Sequence, residues 1–255
     1  MIANENGSSE ELFHATLQGD YDDEAAWDAV AALRLRGTQE VFQMAVRYCQ
    51  SAVPLERARG LDVLAQLGAS RPIEERPHFD ECVSLAIKFL YDPDSLVLNS
   101  AAWALAHLGG ESAISALIAM RKNPAPDVRW AVANGLNGSE RDDAIATVIE
   151  LMDDPDDNVR DWATFALGTQ CKADSAQIRE ALRKRLNDTY KNVRDEAVWG
   201  LAQQKDAQGM RMLVERLSAE HWIAGDEMAA AEILDMPHDA AAQDLLAGLQ
   251  KLLDA

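Results

Sequence analysis

A recurring pattern of polar and apolar positions organises the middle of the chain. Its four copies occupy residues 92–105, 123–136, 154–167 and 188–201, and read DPDSLVLNSAAWAL, NPAPDVRWAVANGL, DPDDNVRDWATFAL and DTYKNVRDEAVWGL. The valines of these copies, at positions 97, 128, 159 and 193, lie 31, 31 and 34 residues apart. A fixed period of about 30 to 45 residues is typical of a helical repeat array.

Each copy has the signals of a helix that ends and a second helix that begins. A proline follows the Asp or Asn that opens the first three copies, and the residue before proline disfavours the α region. The next helix is predicted to begin near Asp127, Asn158 or Asn192, which are good N-cap residue types. From each valine, offsets 0, +4, +7 and +8 are apolar or small, which gives a stripe with a period near 3.6. The small residues of this stripe should let neighbouring helices approach closely.

These segments resemble the HEAT-repeat family, and in particular the bacterial HEAT-like repeats first noted in phycobilisome lyases. The resemblance is carried by the Asp-Pro turn and by residues such as Val159, Arg160, Ala163, Leu167 and Gly168. It implies paired antiparallel helices with the Val-Arg helix on the concave side. We therefore expect an all-α fold, a right-handed α-α superhelix of about seven helix pairs with a C-terminal capping helix.

The same pattern predicts how the whole chain is divided. Residues 1–9 are polar and are predicted to form a disordered tail, and residues 10–255 a single HEAT-like solenoid. Residues 69–78 carry two prolines and break the period, which we interpret as an insertion at one edge of the array. Outer helices are predicted at 10–18, 39–50, 79–91, 111–122, 142–153, 175–187 and 207–218, inner helices at 22–36, 55–68, 95–108, 127–137, 158–170, 192–203 and 226–235, and a closing helix at 239–253.

Charge and cysteine content limit the classes of function. The net charge is −19, from 24 Lys and Arg against 43 Asp and Glu, and this argues against binding to nucleic acid. The cysteines Cys49, Cys82 and Cys171 form no close pair, which indicates buried thiols in a reducing compartment. No secretory signal or membrane-spanning stretch is visible, so we expect a cytoplasmic protein without membrane association.

The arginines of the Val-Arg pairs, Arg129, Arg160 and Arg194, allow two interpretations. They could form a basic stripe for phosphate groups. Alternatively, each could bond the turn Asp of its own or the next repeat, as in the architectural Asp/Arg ladder of the family. We favour the ladder.

Aromatic residues point to a binding surface. Offsets +2, +3 and +6 from each valine should face away from the buried stripe, and aromatic and acidic residues are frequent there. Five of the six tryptophans, including Trp27, fall at such positions. Exposed aromatic residues are enriched at interaction sites, and together with acids they suit a basic peptide or protein segment. The alternative is that the rings only fill space between helices. The predicted partner-binding residues are Asn99, Trp103, Trp130, Asn134, Asp161, Trp162, Phe165, Asp195, Glu196 and Trp199.

Sequence signals for catalysis are weak. The histidines are scattered, there is no HExxH, CxxC, GxSxG or glycine-rich phosphate loop, and the His-Glu dipeptides of the HEAT-like deoxyhypusine hydroxylases are missing. We therefore predict no catalytic residue, no metal and no cofactor. The chain should be a non-enzymatic scaffold that binds a protein or peptide, with a basic partner favoured, for example as an inhibitor or as the immunity partner of a toxin. The alternative is an enzyme or enzyme subunit of HEAT-like type, related to bilin lyases or, less favoured, to DNA glycosylases that remove alkylated bases.

Overall fold

The computed structural model describes residues 7–72, 75–219 and 222–254. Within these ranges the secondary structure is helical, with no strand, and the predicted all-α HEAT-like fold is confirmed. One helix, α10, continues into a π-helical segment, Ala166–Gln170. The helices are α1 (Ser9–Ala15), α2 (Glu24–Arg36), α3 (Gln39–Cys49), α4 (Pro54–Leu64), α5 (Phe79–Phe89), α6 (Ser95–Leu108), α7 (Glu111–Ala119), α8 (Pro126–Gly135), α9 (Asp142–Leu151), α10 (Asp157–Phe165), α11 (Ala176–Arg185), α12 (Lys191–Gln203), α13 (Ala207–Ser218), α14 (Ala224–Leu234) and α15 (Ala242–Leu253).

The helices form two compact units, of which the first ends at Gly135 and the second begins at Leu136. In the first unit, α2, α4, α6 and α8 pack one against the next, and each also packs against the helix before it in sequence. The second unit repeats this arrangement with α10, α12 and α14, and α15 packs against α13 and α14. Seven pairs and a closing helix are therefore found among the described residues, as predicted.

The N-terminal prediction falls partly on residues 1–6, which lie outside the described residues. Of the predicted tail, Ser8 caps α1 and Ser9 begins it, and the Ser8 side chain and Glu11 form a reciprocal capping box. The organisation of residues 10–255 as one solenoid stays a prediction.

Some helices begin at other residues than the sequence predicts. Asn158 was predicted to cap α10, but Asp156 does so, accepting hydrogen bonds from the backbone N–H groups of Asn158 and Val159. Asp94 caps α6 in the same way. Likewise α8 begins at Pro126 rather than after Asp127, because proline is well suited to the first turn of a helix.

The repeated apolar stripe forms the core of each unit, as predicted. Val97 and Val128 in the first unit, and Val159 and Val193 in the second, are completely buried. The small positions allow close approach: a Cβ atom on Gly200 would overlap the Cα of Gly168, so only glycine fits between these two helices. The stripe therefore fixes the spacing of α12 against the end of the preceding inner helix.

The Val-Arg arginines form the predicted ladder. Arg57 donates from Nε and Nη2 to both carboxylate oxygens of Asp92, each at 3.0 Å, and Arg160 makes the same contact with Asp188 at 3.0 and 2.9 Å. Arg129 and Arg194 donate to backbone carbonyls of the turns that precede their own helices. These arginines therefore hold turns together and do not form a free basic stripe.

The insertion at residues 69–78 packs back onto the first unit, with residues 73–74 outside the described part. The His78 ring stacks on Phe42 at 3.8 Å, and its Nε2 lies 2.6 Å from Oε1 of Gln39. At the start of this segment, the Gly68 N–H donates to the Arg34 carbonyl at 2.8 Å. The segment therefore joins α4 to α5 while covering the start of α3.

The three cysteines are buried and carry free thiols, as predicted. Burial raises the pKa of both Cys49 and Cys82 to about 12. These two thiols are therefore protonated at neutral pH and serve as small apolar core residues.

Candidate functional site

The predicted partner-binding residues are divided between the two units. Asn99, Trp103, Trp130 and Asn134 belong to the first unit and are half-buried, and the other six belong to the second. Of the six predicted residues in the second unit, only Asp195 is buried, with 5% of its surface exposed. The five tryptophans of the predicted surface, including Trp27, are all half-buried. Each of these side chains is therefore partly covered by the protein and partly open to solvent.

Five of the six predicted residues of the second unit lie, together with Glu232, around one surface depression. We call it the acidic aromatic cleft and define it by Asp161, Trp162, Phe165, Glu196, Trp199 and Glu232. It consists of two adjoining cavities of about 230 and 270 Å³ that share Phe165 and Glu196 as lining residues. Asp195 does not line either cavity. Three inner helices, α10, α12 and α14, supply the walls.

Helical spacing explains how these side chains come together. Trp162 and Phe165 are three residues apart on α10, so they share a face, and their rings meet edge to face at 5.7 Å. Glu196 and Trp199 have the same spacing on α12. The Trp199 Nε1–H donates to Asp226 Oδ1 at 2.9 Å, and the ring lies where a Cβ atom of Gly225 would be. The absence of a side chain at Gly225 therefore lets α14 hold the Trp199 indole in place.

Two carboxyl groups of the cleft, those of Asp161 and Glu196, are poorly compensated. Asp161 Oδ1 and Glu196 Oε2 are buried and have no hydrogen-bond partner among the described residues. Burial, with the charges of Asp161 and Asp195, raises the pKa of Glu196 to about 8. Burial also raises the pKa of Asp161, although a hydrogen bond from Asn192 offsets part of the effect. The cleft thus holds carboxyl groups that a cation would stabilise in the ionised form.

Neighbouring acids contrast with these two, because the protein already neutralises them. Asp195 pairs with Lys191 and lies 2.9 Å from Arg216, which also contacts Asp226 at 3.2 Å. The carboxylates of Asp195 and Asp226 are thus used inside the second unit. Among the described residues, Asp161 and Glu196 of the cleft have no such ion pair.

The tryptophans of the first unit line a different cavity, of about 280 Å³. Trp27, Trp103 and Trp130 form its aromatic walls, and the rings of Trp103 and Trp130 meet edge to face at 5.1 Å. Arg34 lies beside Trp27, with its guanidinium carbon 5.6 Å from the ring centre. The aromatic positions of the two units are therefore accompanied by different charges.

Several lining residues were not predicted from the sequence. Glu232 and Gly225 lie on α14, where the repeat pattern is weak, and no sequence signal singled them out. Tyr21 precedes α2 and could not be placed by helical spacing. Arg34 could have been found, because it lies seven residues after Trp27 and so on the same face of α2.

Two further observations concern ligands and membranes. Within the described residues, no group of three or more His, Cys, Asp and Glu side chains is arranged to hold a metal ion. No helix in those same ranges is both long enough and apolar enough to cross a bilayer.

Comparison with known proteins agrees with the architecture. A family model described as HEAT repeats matches residues 57–137 and 114–179. The curated "Protein YibA" of Escherichia coli strain K12 is 27% identical over 218 residues, which cover 82% of this chain and 75% of that protein. The X-ray structure of the Escherichia coli YibA protein superposes with a TM-score of 0.76 at 22% identity, covering 98% of this chain and 93% of that chain.

A larger protein shares the same fold. A chain from the crystal structure of the S. pombe condensin Cnd3-Cnd2 subcomplex gives a TM-score of 0.64 at 16% identity, over 96% of this chain and 37% of that chain. At this identity the likeness concerns the fold alone. The match of the family model and the paired-helix architecture together identify HEAT repeats within residues 57–179 of the chain.

Proposed function

We propose that the chain is a non-catalytic protein-interaction module that binds a basic segment of a partner protein in the acidic aromatic cleft. The observation that carries this proposal is the pair of buried carboxylate oxygens, Asp161 Oδ1 and Glu196 Oε2, which have no hydrogen-bond partner in the described chain. Ionising a buried carboxyl group without a partner is costly, so the cleft gains most from a ligand that supplies positive charge.

Lysine and arginine side chains match the chemistry of the cleft. Their charged ends would pair with Asp161 and Glu196, and their flanks would pack on the rings of Trp162 and Phe165. A cation over an aromatic face contributes about 0.5 to 2 kcal/mol, depending on its desolvation. The ion pair supplies charge recognition, and the aromatic walls exclude water from it.

The fold supports an interaction role. Repeat proteins build extended surfaces from rigid stacked helices, and a preorganised surface loses little conformational entropy when a partner binds. A neighbour of the same fold was crystallised in the condensin Cnd3-Cnd2 subcomplex, which is an assembly of protein chains. The net charge of −19 would also speed the encounter with a basic partner at low salt. In a narrower form, the chain is an inhibitor or the immunity partner of a basic toxin.

The direct test is the binding of a labelled octapeptide of alternating lysine and arginine, followed by fluorescence anisotropy. Wild-type protein should bind it, and added salt should weaken the binding. Glu196→Gln and Asp161→Asn should each weaken it by about tenfold or more. Trp162→Ala should weaken binding without a large loss of stability, because the ring is only half-buried.

The matched control removes one negative charge elsewhere in the same unit. Glu215 is exposed on α13 and does not line the cleft, so Glu215→Gln should leave binding unchanged. If Glu215→Gln weakens binding as much as Glu196→Gln, the peptide responds to the overall charge and the cleft has no special role. A gel shift with alkylated duplex DNA at low salt tests the glycosylase alternative, and we expect no binding.

A further inference from the structure

The first unit contains a cavity whose lining carries different charges from those of the acidic aromatic cleft. Its aromatic walls are Trp27, Trp103 and Trp130, and its volume is about 280 Å³. The exposed Asp22 and His107 also line it, as do Arg34 and the buried Asp62. This cavity is separate from the acidic aromatic cleft, and the proposed binding of a basic segment does not use it.

The acid in this cavity is satisfied by the protein itself. Asp62 Oδ1 and Oδ2 accept hydrogen bonds from the Tyr21 hydroxyl at 3.2 and 3.0 Å, and Arg59 Nη1 lies 3.4 Å from Oδ2. The Tyr21 hydroxyl is also 3.0 Å from the Ser100 hydroxyl. Arg59 is completely buried beneath the Tyr21 ring. Arg59 and Tyr21 are therefore the partners of Asp62, which is the one buried carboxylate among the residues that line the cavity.

Arg34 is the charged group of the cavity that does not form an ion pair in this network. Its Nε donates to the Asp62 backbone carbonyl at 2.9 Å, and its Nη1 lies 3.5 Å from Gln66 Oε1. Among the described residues, no carboxylate lies within ion-pairing distance of its guanidinium group. Two guanidinium groups, Arg34 and Arg59, therefore face one buried carboxylate. Burial lowers the pKa of Arg34, the charges of Asp62 and Tyr21 oppose this shift in part, and the charge of Arg59 adds to it. A guanidinium nevertheless stays protonated at neutral pH.

We propose that this cavity is a second binding site, which takes a small carboxylate carried on a flat aromatic body. The carboxylate accepts hydrogen bonds from Arg34, and the aromatic body packs against the indole rings of Trp27, Trp103 and Trp130. Arginine binds carboxylates through paired N–H donors, and aromatic rings stack favourably on guanidinium planes and on one another. The only other acid at the cavity, Asp22, is exposed at the surface, where water and salt screen its charge.

The imidazole of His107, which also lines the cavity, is compatible with a carboxylate ligand. Partial desolvation and the charges of Arg34 and Arg76 lower its pKa, so the imidazole is neutral at pH 7 and can donate one N–H to an anion. The volume limits the ligand to a small molecule or to the last residue of a peptide, since sites for drug-sized ligands start at about 300 Å³.

The test uses matched pairs of ligands with wild-type protein. Indole-3-acetate and phenylacetate should bind, as measured by isothermal titration calorimetry. Their neutral amides should bind at least about tenfold more weakly. A peptide that ends in phenylalanine with a free carboxylate, compared with its amidated form, shows whether the carboxylate can come from a chain end. Equal binding of acids and amides, or no binding of any acid, would overturn the proposal.

Variants assign the effect to Arg34. Arg34→Gln should abolish the preference for the acid over the amide, and Arg34→Lys should keep part of it. Arg47→Gln removes one positive charge from the exposed side of α3, outside the cavity, and should change nothing. The comparison of acid and amide on wild-type protein decides the matter even if Arg34→Gln does not fold. An undiminished preference for the acid in a folded Arg34→Gln variant would contradict the assignment.

Discussion

Arg160 donates from Nε and Nη2 to the two carboxylate oxygens of Asp188, at 3.0 and 2.9 Å. The same guanidinium donates from Nη1 to the Asp154 carbonyl at 2.8 Å. Asp154 opens the turn before α10, and Asp188 opens the corresponding turn of the next repeat. One side chain thus ties two successive turns together, and the paired geometry is the strong form of an ion pair. Both side chains are largely buried, at 9% and 5% exposed.

We expect Arg160→Ala to lower the free energy of unfolding by about 3 kcal/mol, because it leaves Asp188 buried without its main partner. Arg194→Ala is the matched control. Arg194 has the same position in the next repeat, but within the described part of the chain it donates only to the carbonyls of Asp188 and Thr189, so its loss should cost about 1 to 2 kcal/mol. Urea unfolding measures both variants. Equal losses would mean that the contact with the acid adds nothing to the carbonyl contacts.

The Arg160 contact should also depend on pH. Burial alone would raise the pKa of Asp188, but hydrogen bonds from Arg160 and from the Tyr190 N–H lower it overall. A carboxyl group with a lowered pKa stabilises the folded state above its unfolded pKa of about 3.9, and loses this contribution as the pH falls below that value. The difference in stability between wild type and Arg160→Ala should therefore shrink below about pH 4, and a constant difference would count against the ion pair.

Gly200 should not tolerate alanine, although alanine normally favours helices. On an exposed helix the change from glycine to alanine would stabilise by about 1 kcal/mol. Here the new Cβ would overlap the Cα of Gly168, and we expect a loss of about 1 to 3 kcal/mol instead. Gly168→Ala should destabilise the protein less than Gly200→Ala, because the new Cβ would lie 3.1 Å from the Gly200 Cα. Thermal unfolding of both variants checks the sign and the order.

Much of the fold could be predicted from the sequence, because the repeat carries its own local signals. The period, the turn residues and the stripe of Val159 and Ala163 give the helices and their pairing, and the Val-Arg arginines give the ladder. The cap of α10 was wrong by two residues, since Asn158 and Asp156 are both good N-cap types and only the structure chooses between them.

The candidate site could be predicted less completely. Helical spacing placed Trp162, Phe165 and Trp199 on the accessible side, because those offsets point away from the stripe. It could not predict that Asp195 is buried and paired with Arg216, since that contact depends on how the next helix, α13, packs against α12. Spacing also says nothing about the sign of charge around each tryptophan, which depends on neighbours such as Arg34 and Glu232.

Glu196→Gln should stabilise the protein at alkaline pH. The pKa of Glu196 rises from about 4.3 in the unfolded chain to about 8 in the folded protein. A carboxyl group with a raised pKa stabilises the folded state fully below its unfolded pKa, and loses this contribution as the pH rises through the folded pKa. Glutamine cannot ionise, so the melting temperature of Glu196→Gln should exceed that of wild type increasingly between about pH 5 and pH 9.

The control for this effect is Glu215→Gln, which removes an exposed carboxylate from α13. Its melting temperature relative to wild type should vary little over the same pH range. A Glu196→Gln curve that runs parallel to wild type would mean that the Glu196 carboxyl is well solvated, and would weaken the case for a cation site in the cleft.

Arg59 should be the most sensitive charged residue of the first unit. It is completely buried, and its guanidinium donates to the Thr16 carbonyl at 2.8 Å and to the Tyr21 carbonyl at 2.7 Å, besides its contact with Asp62. It thus ties α4 to the segment between α1 and α2. We expect Arg59→Met to lower the free energy of unfolding by about 3 to 5 kcal/mol, because Asp62 is left as a buried acid without its cation. Adding Asp62→Asn to Arg59→Met removes that uncompensated charge and keeps an acceptor for the Tyr21 hydroxyl, so the double variant should regain part of the loss. Urea unfolding of the single and double variants measures the coupling, and strictly additive losses would show that Arg59 acts through the two carbonyls alone.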